Sequence, residues 1–226
     1  MSMKQNKAIL FANGEFSGAE RFLGQIADDD LLVAVDGGLS HMTKHGLKPD
    51  LIIGDLDSAN PEDVSRFEAQ GVDIRKFPQD KNETDLELAL EATLNLNHST
   101  IWITGVFGNR VDQTLGNIFL LSRADLADVD IRLIDGHQEA FLIRQSATII
   151  GKPGQRVSLL PLGNPVFGIH TEGLKFPLVG ETLFPDQTRG ISNRMNKTTA
   201  SIITQSGLLI CIHEMIEQTK GSFRFD

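Results

Sequence analysis

The sequence predicts an α/β chain in two parts. An open, mostly parallel sheet with helices on both faces is expected over residues 1–138, followed by a small antiparallel β-sandwich over residues 139–226. Three observations predict it. Up to about residue 135, short apolar runs alternate with segments of helical period, the pattern of a parallel sheet with crossover helices. Several of those runs place apolar residues side by side, as strands buried on both faces do. Beyond about residue 138 helical periodicity stops, and short β-rich pieces are separated by Gly151-Lys152-Pro153-Gly154, Gly163-Asn164-Pro165 and Phe176-Pro177.

In chain order, strands are expected at 8–12, 31–35, 51–53, 72–77, 100–104 and 131–134, and helices at 17–27, 38–45, 61–70, 85–96 and 113–124. Asn60-Pro61 supplies a cap and a first-turn proline for the third helix. The fourth is the clearest. Leu86, Ala89, Leu90, Thr93 and Leu94 share one helical face while Glu87 and Glu91 face away, and Thr84 with Glu87 forms a capping box. In the second part, 199–204 and 208–213 flank Gln205-Ser206-Gly207 and read as a hairpin closing the sandwich.

Composition excludes several functions. The 226 residues exceed what a stapled or metal-folded module needs, and 40% hydrophobic with 23% charged residues describes a compact soluble protein. Lys+Arg 21 against Asp+Glu 30 gives a net charge of −9, a field that repels nucleic acid and acidic membrane surfaces. No apolar run approaches the ~20 residues of a spanning helix, and the stretch 8–12 is too short for a signal-peptide core. The single cysteine, Cys211, lies in an apolar run and reads as a core residue. Together these point to the cytoplasm.

Ligands of open parallel sheets gather at the carboxyl ends of the strands, and acidic residues cluster there. One strand ends in Asp36-Gly37-Gly38, and the next runs into Gly54-Asp55-Leu56-Asp57-Ser58. Asp55 and Asp57, two apart in an extended loop, point to one side, where glycines let backbone approach a ligand. Mg²⁺, which takes one or two carboxylates plus phosphate oxygens, suits that set. Turn chemistry is the plainer reading, but Asn60 already caps the helix and leaves both aspartates without structural work. Asp85 follows the capping Thr84 in Lys81-Asn82-Glu83-Thr84-Asp85, where a helix-dipole role would suffice for it alone. In Thr104-Gly105-Val106-Phe107-Gly108-Asn109-Arg110-Val111-Asp112, glycine amides and Arg110 can grip phosphates; an exposed loop with Asp112 as N-cap explains the stretch equally well. His41 and His45, four apart, lack a third zinc ligand and read as a solvated helix face. Neither G-x-G-x-x-G nor a Walker lysine motif occurs.

Five stretches, taken in order and spacing, closely resemble the thiamine pyrophosphokinase family over nearly the whole chain. They are Ala34 to Gly38, Lys48 to Ser58, Glu83 to Leu90, Asn109 to Asn117 and Thr188 to Asn193. The resemblance implies diphosphate transfer from ATP to thiamine, giving thiamine diphosphate and AMP. It also implies an α/β catalytic domain, a β-sandwich thiamine-binding domain, and a homodimer whose active sites are shared between subunits. Asp36, Asp55, Asp57 and Asp85 would form the Mg²⁺ and ATP site, with Gly37, Gly38, Lys81 and Thr84 beside them and Asp55, Asp57 and Asp85 on the metal. Arg110 and Asp112 would stand on the phosphate side, and Ser192 and Asn193 in the thiamine pocket of the other subunit. Asp85 and Asp112 are both candidates for the general base.

The chain departs from the family at Asn82, Asn109 and Gln113, which replace an acid, a glycine and a histidine, so no proton transfer is assigned there. With no tyrosine and Trp102 in the first domain, any stacking on thiamine from the second falls to phenylalanine, for example Phe176 or Phe184. Two rival functions are diphosphate transfer to another hydroxymethyl heterocycle such as a pterin, and a non-catalytic thiamine or nucleotide sensor.

Overall fold

The computed structural model describes residues 6–215. The chain divides into two compact units, Met1–Gly136 and His137–Asp226.

The first unit has strands β1 (Ala8–Phe11), β2 (Leu31–Val35), β3 (Leu51–Gly54), β4 (Asp73–Lys76), β5 (Thr100–Thr104) and β6 (Asp130–Ile134). Between them lie helices α1 (Ala19–Leu23), α2 (Leu39–Lys44), α3 (Pro61–Ala69), α4 (Asp85–Asn95) and α5 (Val111–Leu120). The strands run in the order β6-β5-β1-β2-β3-β4, and every pair is parallel. Central β1 and β3 are buried at every residue, which is why they read as unbroken apolar runs. Charged β4 closes one edge and, with an Arg75–Asp73 ion pair at 2.9 Å, discourages further pairing. The chain steps outward from β1 to β4, then α4 returns it to β5 on the other side of β1. Right-handed crossovers therefore put helices on both faces.

Two helices differ from expectation. α1 spans only five residues, because Gly18 enters it in a left-handed conformation (φ 61°) and Gly24 ends it. α5 starts at Val111, two residues early, because Arg110 takes the N-cap position; Asp112 lies in the first turn and is not the cap. The capping box on α4 is half made. Thr84 Oγ1 accepts from the Glu87 N–H at 3.2 Å, while the Glu87 carboxylate turns to Arg123 at 3.1 Å.

The second unit has strands β7 (Gln138–Ile143), β8 (Ser146–Ile150), β9 (Arg156–Pro161), β10 (Val166–Glu172), β11 (Val179–Leu183), β12 (Asn193–Arg194), β13 (Thr199–Ile203) and β14 (Leu209–Glu214). They form two antiparallel sheets, β12-β9-β14-β7 and β11-β10-β13-β8. Inward residues of both, among them Phe141, Val157, Leu159, Ile169, Ile202 and Cys211, make one core. β13 and β14 are not a hairpin. β13 pairs with β8 and β10, β14 with β7 and β9, so the turn at Gln205–Gly207 carries the chain from one sheet to the other. No described helix is long and apolar enough to cross a membrane.

Candidate active site

Three loops at the carboxyl ends of β2, β3 and β4 bring the acidic residues together. After β2, Asp36–Gly38 form a 3₁₀ turn that leads straight into α2. A Cβ on Gly38 would stand 1.8 Å from the Phe11 carbonyl oxygen, so only glycine lets this turn lie flat against β1. Asp36 itself is 8% exposed and holds a left-handed backbone (φ 48°). In the loop after β3, Leu56 does the same (φ 64°), a strained state for a bulky residue and one that concentrates at functional sites.

Asp36, Asp55 and Asp57 each offer an oxygen within 4.8 Å of the others. Ser58 ties the two loops together, its N–H donating to Asp36 Oδ1 at 3.3 Å and its hydroxyl to Asp57 Oδ1 at 2.9 Å. The Asp57 N–H donates to Asp55 Oδ1 at 3.1 Å, and Gln79 Nε2 to Asp57 Oδ2 at 3.1 Å. Neither Asp57 nor Ser58 caps α3, since Asn60 Oδ1 accepts from the Glu62 N–H at 2.9 Å. Asp85 joins the group through Lys81, whose Nζ lies 3.7 Å from Asp55 Oδ2 and 3.0 Å from Asp85 Oδ1. Beyond this ammonium, the buried Asp85 Oδ1 has no hydrogen-bond partner among the described residues.

Burial pushes the Asp36 carboxyl above its ordinary value, against hydrogen bonds from Gly37 and Ser58, and the charge of Asp85 adds to the rise. For Lys81, burial works against the ammonium, but Asp85 and then Asp55 outweigh it and the net shift is upward. Its side chain is covered by these neighbours, at 12% exposed, yet lies near the surface, where solvent screens the pair. All the donors are carboxylate oxygens, and their charge exceeds what one lysine neutralises. That set fits a hard divalent cation and would suit Mg²⁺ better than a soft metal.

The other expected residues lie elsewhere. Arg110 and Asp112 form an exposed bidentate pair, at 2.9 and 2.6 Å, and touch no member of the acidic group. That pair holds the Asp112 carboxyl down to about 2. In the second unit, Ser192 has a left-handed backbone (φ 59°) and its N–H donates to Ser158 Oγ at 3.0 Å. The buried Asn193 spends its amide on backbone: Oδ1 accepts from the N–H groups of Phe176 (3.0 Å) and Arg194 (2.8 Å), and Nδ2 donates to the Phe176 carbonyl (2.6 Å). Phe176 and Phe184 are exposed, with Lys175 Nζ 5.3 Å from the Phe176 ring centre. The His41–His45 face is not simply solvated. Both rings pack on Phe16, 5.5 and 5.6 Å between centres, because the loop after β1 folds over α2.

Sequence reasoning missed the parts played by Ser58 and Gln79. Ser58 follows the acidic pair directly, which is a usable signal; Gln79 in a surface loop carries none.

Two family models match. One described as thiamin pyrophosphokinase, catalytic domain, covers residues 24–133, and one described as thiamin pyrophosphokinase, vitamin B1 binding domain, covers residues 143–209. The thiamine pyrophosphokinase of Bacillus subtilis (strain 168) is 28% identical over 191 residues, 84% of this chain and 89% of that protein. Thiamine pyrophosphokinase 1 of Oryza sativa subsp. japonica is 28% identical over 173 residues, 72% of this chain and 65% of that one. Among solved structures, thiamine pyrophosphokinase from Bacillus subtilis superimposes with a TM-score of 0.84 at 26% identity, covering 94% of this chain and 100% of that one. Yeast thiamin pyrophosphokinase shares the fold at 19% identity and a TM-score of 0.80, over 95% of this chain and 88% of that one.

Proposed function

The chain belongs to the thiamine pyrophosphokinase family of enzymes, and we propose that it transfers the diphosphate of ATP to the hydroxyl of thiamine, releasing AMP. The observation that carries this reading is the convergence of Asp36, Asp55 and Asp57 at the carboxyl edge of a parallel sheet, in a chain without a Walker lysine motif.

In the proposed reaction the thiamine hydroxyl oxygen bonds to the β-phosphorus as the bond from that phosphorus to the α-phosphate oxygen breaks. The β and γ phosphates thus move together, and AMP leaves with the bridging oxygen. Such transfer needs positioning and charge neutralisation more than covalent help. Asp55 and Asp57, with Asp36 or Asp85 alongside, would hold Mg²⁺, which when bound offsets phosphate charge. Ser58 and Gln79 keep the Asp57 carboxylate in place, and Lys81 spaces Asp55 from Asp85. Arg110, once it exchanges Asp112 for a phosphate, neutralises the chain's far end, with Gly37 and Gly38 offering close backbone and Thr84 holding Asp85 at the helix start. Asp85 and Asp112 are the two candidates for accepting the hydroxyl proton.

Thiamine is assigned to Ser192 and its neighbours on a second copy of the chain, with Asn193 shaping that turn through its bonds to Phe176. The site would then be shared within a homodimer. The single cysteine, buried in the core, and the demand for ATP support a cytoplasmic location.

Purified protein with ATP, Mg²⁺ and thiamine should yield thiamine diphosphate and AMP in equal amounts, and nothing when a chelator removes the metal. ADP and thiamine monophosphate as products would rule out single-step diphosphate transfer, and binding without turnover would leave a sensor. For the shared site, Asp55→Ala chains and chains with a bulky residue at the exposed Ser192 are mixed and allowed to exchange. Half the dimers become mixed, each with one intact site, so about a quarter of wild-type activity should return. No recovery after demonstrated exchange would place the pocket within one chain.

A further inference from the structure

The strand order reverses at β1, where the chain runs outward to β2–β4 on one side and to β5 and β6 on the other. Crevices outside the carboxyl ends of strands at such a reversal are where open parallel sheets take ligands. The turn that leaves β1 at this point, Asn13-Gly14-Glu15, is held from several directions. Toward β5, the Gly14 N–H donates to the Gly105 carbonyl at 2.6 Å and the Glu15 N–H to the Phe107 carbonyl at 2.7 Å. A Cβ on Gly14 would stand 2.3 Å from the Phe107 oxygen, so the residue must be glycine for the two loops to meet. Toward α2, His41 Nε2 lies 2.8 Å from the Gly14 carbonyl oxygen. A carbonyl only accepts, so Nε2 carries the proton. Burial lowers the His41 pKa, which favours the neutral, Nε2-protonated ring.

What this fixed turn presents is Asn13. Its side chain lies against Gly37, one residue from Asp36; a Cβ on Gly37 would come within 2.4 Å of the Asn13 amide. Asn13 is exposed, and its amide makes no hydrogen bond with any described residue. Backbone of the loop after β5 and the His41 side chain on α2 thus hold a turn whose Asn13 amide bonds to no described residue.

We propose that Asn13 is a nucleotide-contacting residue, its Nδ2 donating to an oxygen of the ATP phosphate chain, and that His41 is the positioning residue that holds it there through Gly14. The pair rests on the activity proposed above, since the ligand it reads is the nucleotide of that reaction. A neutral donor suits this place, because it adds a bond to phosphate beside Asp36 without competing with a cation for the carboxylates.

The test measures binding of α,β-methylene-ATP with Mg²⁺ by calorimetry, together with kcat, the KM values for ATP and thiamine, and Tm. Wild type is compared with Asn13→Ala, His41→Phe, which keeps the ring on Phe16 but lacks the donor, and His41→Gln, which returns an amide donor where Nε2 stood. Asn13→Ala should weaken analogue binding and raise the KM for ATP about three- to tenfold, as loss of one hydrogen bond does, with the KM for thiamine and Tm unchanged. His41→Phe should move the same two quantities in the same direction, and His41→Gln should restore them to within about twofold. Asn13→Ala binding the analogue as wild type does would overturn the contact. His41→Phe changing Tm alone, or both KM values alike, would make His41 merely structural and overturn its positioning role. If wild type binds the analogue but makes no thiamine diphosphate, the proposed activity fails while the binding comparison still decides the role of Asn13. If wild type does not bind the analogue, both fall.

Discussion

At the carboxyl edge of the parallel sheet, the buried Thr104 Oγ1 finds no hydrogen-bond partner among the described residues, and the buried Asp85 Oδ1 meets only the Lys81 ammonium at 3.0 Å. In the antiparallel unit, buried Asn193 makes three backbone hydrogen bonds with its amide, and His213 meets Glu139 at 3.1 Å and Gln155 at 3.2 Å. The contrast separates two uses of polar residues. A buried group that is fully bonded defines shape, and removing it costs stability. A group left short of partners, or crowded with like charge, lowers stability and persists where a ligand completes it. Left-handed backbone does not follow that line: Asp36 and Leu56 hold it in the acidic site, but so do Asn97 after α4 and Ser192 in the antiparallel unit.

The sharpest way to break this comparison is at Asp55 and Asp57. Asp55→Asn and Asp57→Asn should each lower turnover at least about a hundredfold, as expected when charge that neutralises phosphate is lost, while Tm stays within about 2 °C of wild type. A variant that loses stability and keeps its specific activity would move these carboxylates into the structural class.

Asn193→Ala should do the reverse, at a smaller scale. It strands two backbone N–H groups and a carbonyl, and urea unfolding should register a loss of about 1–3 kcal/mol. Divalent-metal binding at the acidic group should not change. An Asn193→Ala protein as stable as wild type would show that water replaces those bonds and that the turn is not built by the amide.

Asp36 sharpens the contrast through pH. Its folded pKa is raised by burial, so the folded state binds the proton more tightly than the unfolded chain, whose value is near 3.8. Stability from this group is therefore present below about 3.8 and declines as pH rises through the interval up to the raised value. Without metal, Asp36→Asn should thus melt above wild type at neutral pH, with the gap closing toward the acid end of a Tm against pH series. A gap constant with pH would show that charge burial at Asp36 is not the cause. The smallest effect on stability belongs to Arg110→Ala. The ion pair is fully exposed, so Tm should not move measurably, while the KM for ATP rises if the guanidinium serves phosphate.

The positions of β1, β2 and β3 were legible because strands buried on both faces read as continuous apolar runs, whereas charged β4 carries no such signal. Asn60-Pro61 likewise fixed the start of α3 by local chemistry alone. The ends of α1 were not legible, since two glycines, not periodicity, bound it. The hairpin expected at residues 199–213 failed for a related reason. Alternating residues and a turn say that two strands follow one another, but the choice between returning within a sheet and crossing to the other depends on which neighbours already occupy each edge.

For the candidate site, the sequence by itself determined the residue types and their place at strand ends, because spacing and capping are properties of a few adjacent residues. Asp55 and Asp57 could be singled out once Asn60 was recognised as the cap. Only the tertiary structure decided that Asp36 closes on that pair, that Lys81 reaches Asp55, that Gln79 braces Asp57, and that His41 turns from solvent to the Gly14 carbonyl. Each of these is a meeting of segments far apart in the chain, set by the order and register of parallel strands, and a hydrogen bond or an ion pair exists only where that order brings its two halves within about 3 to 4 Å.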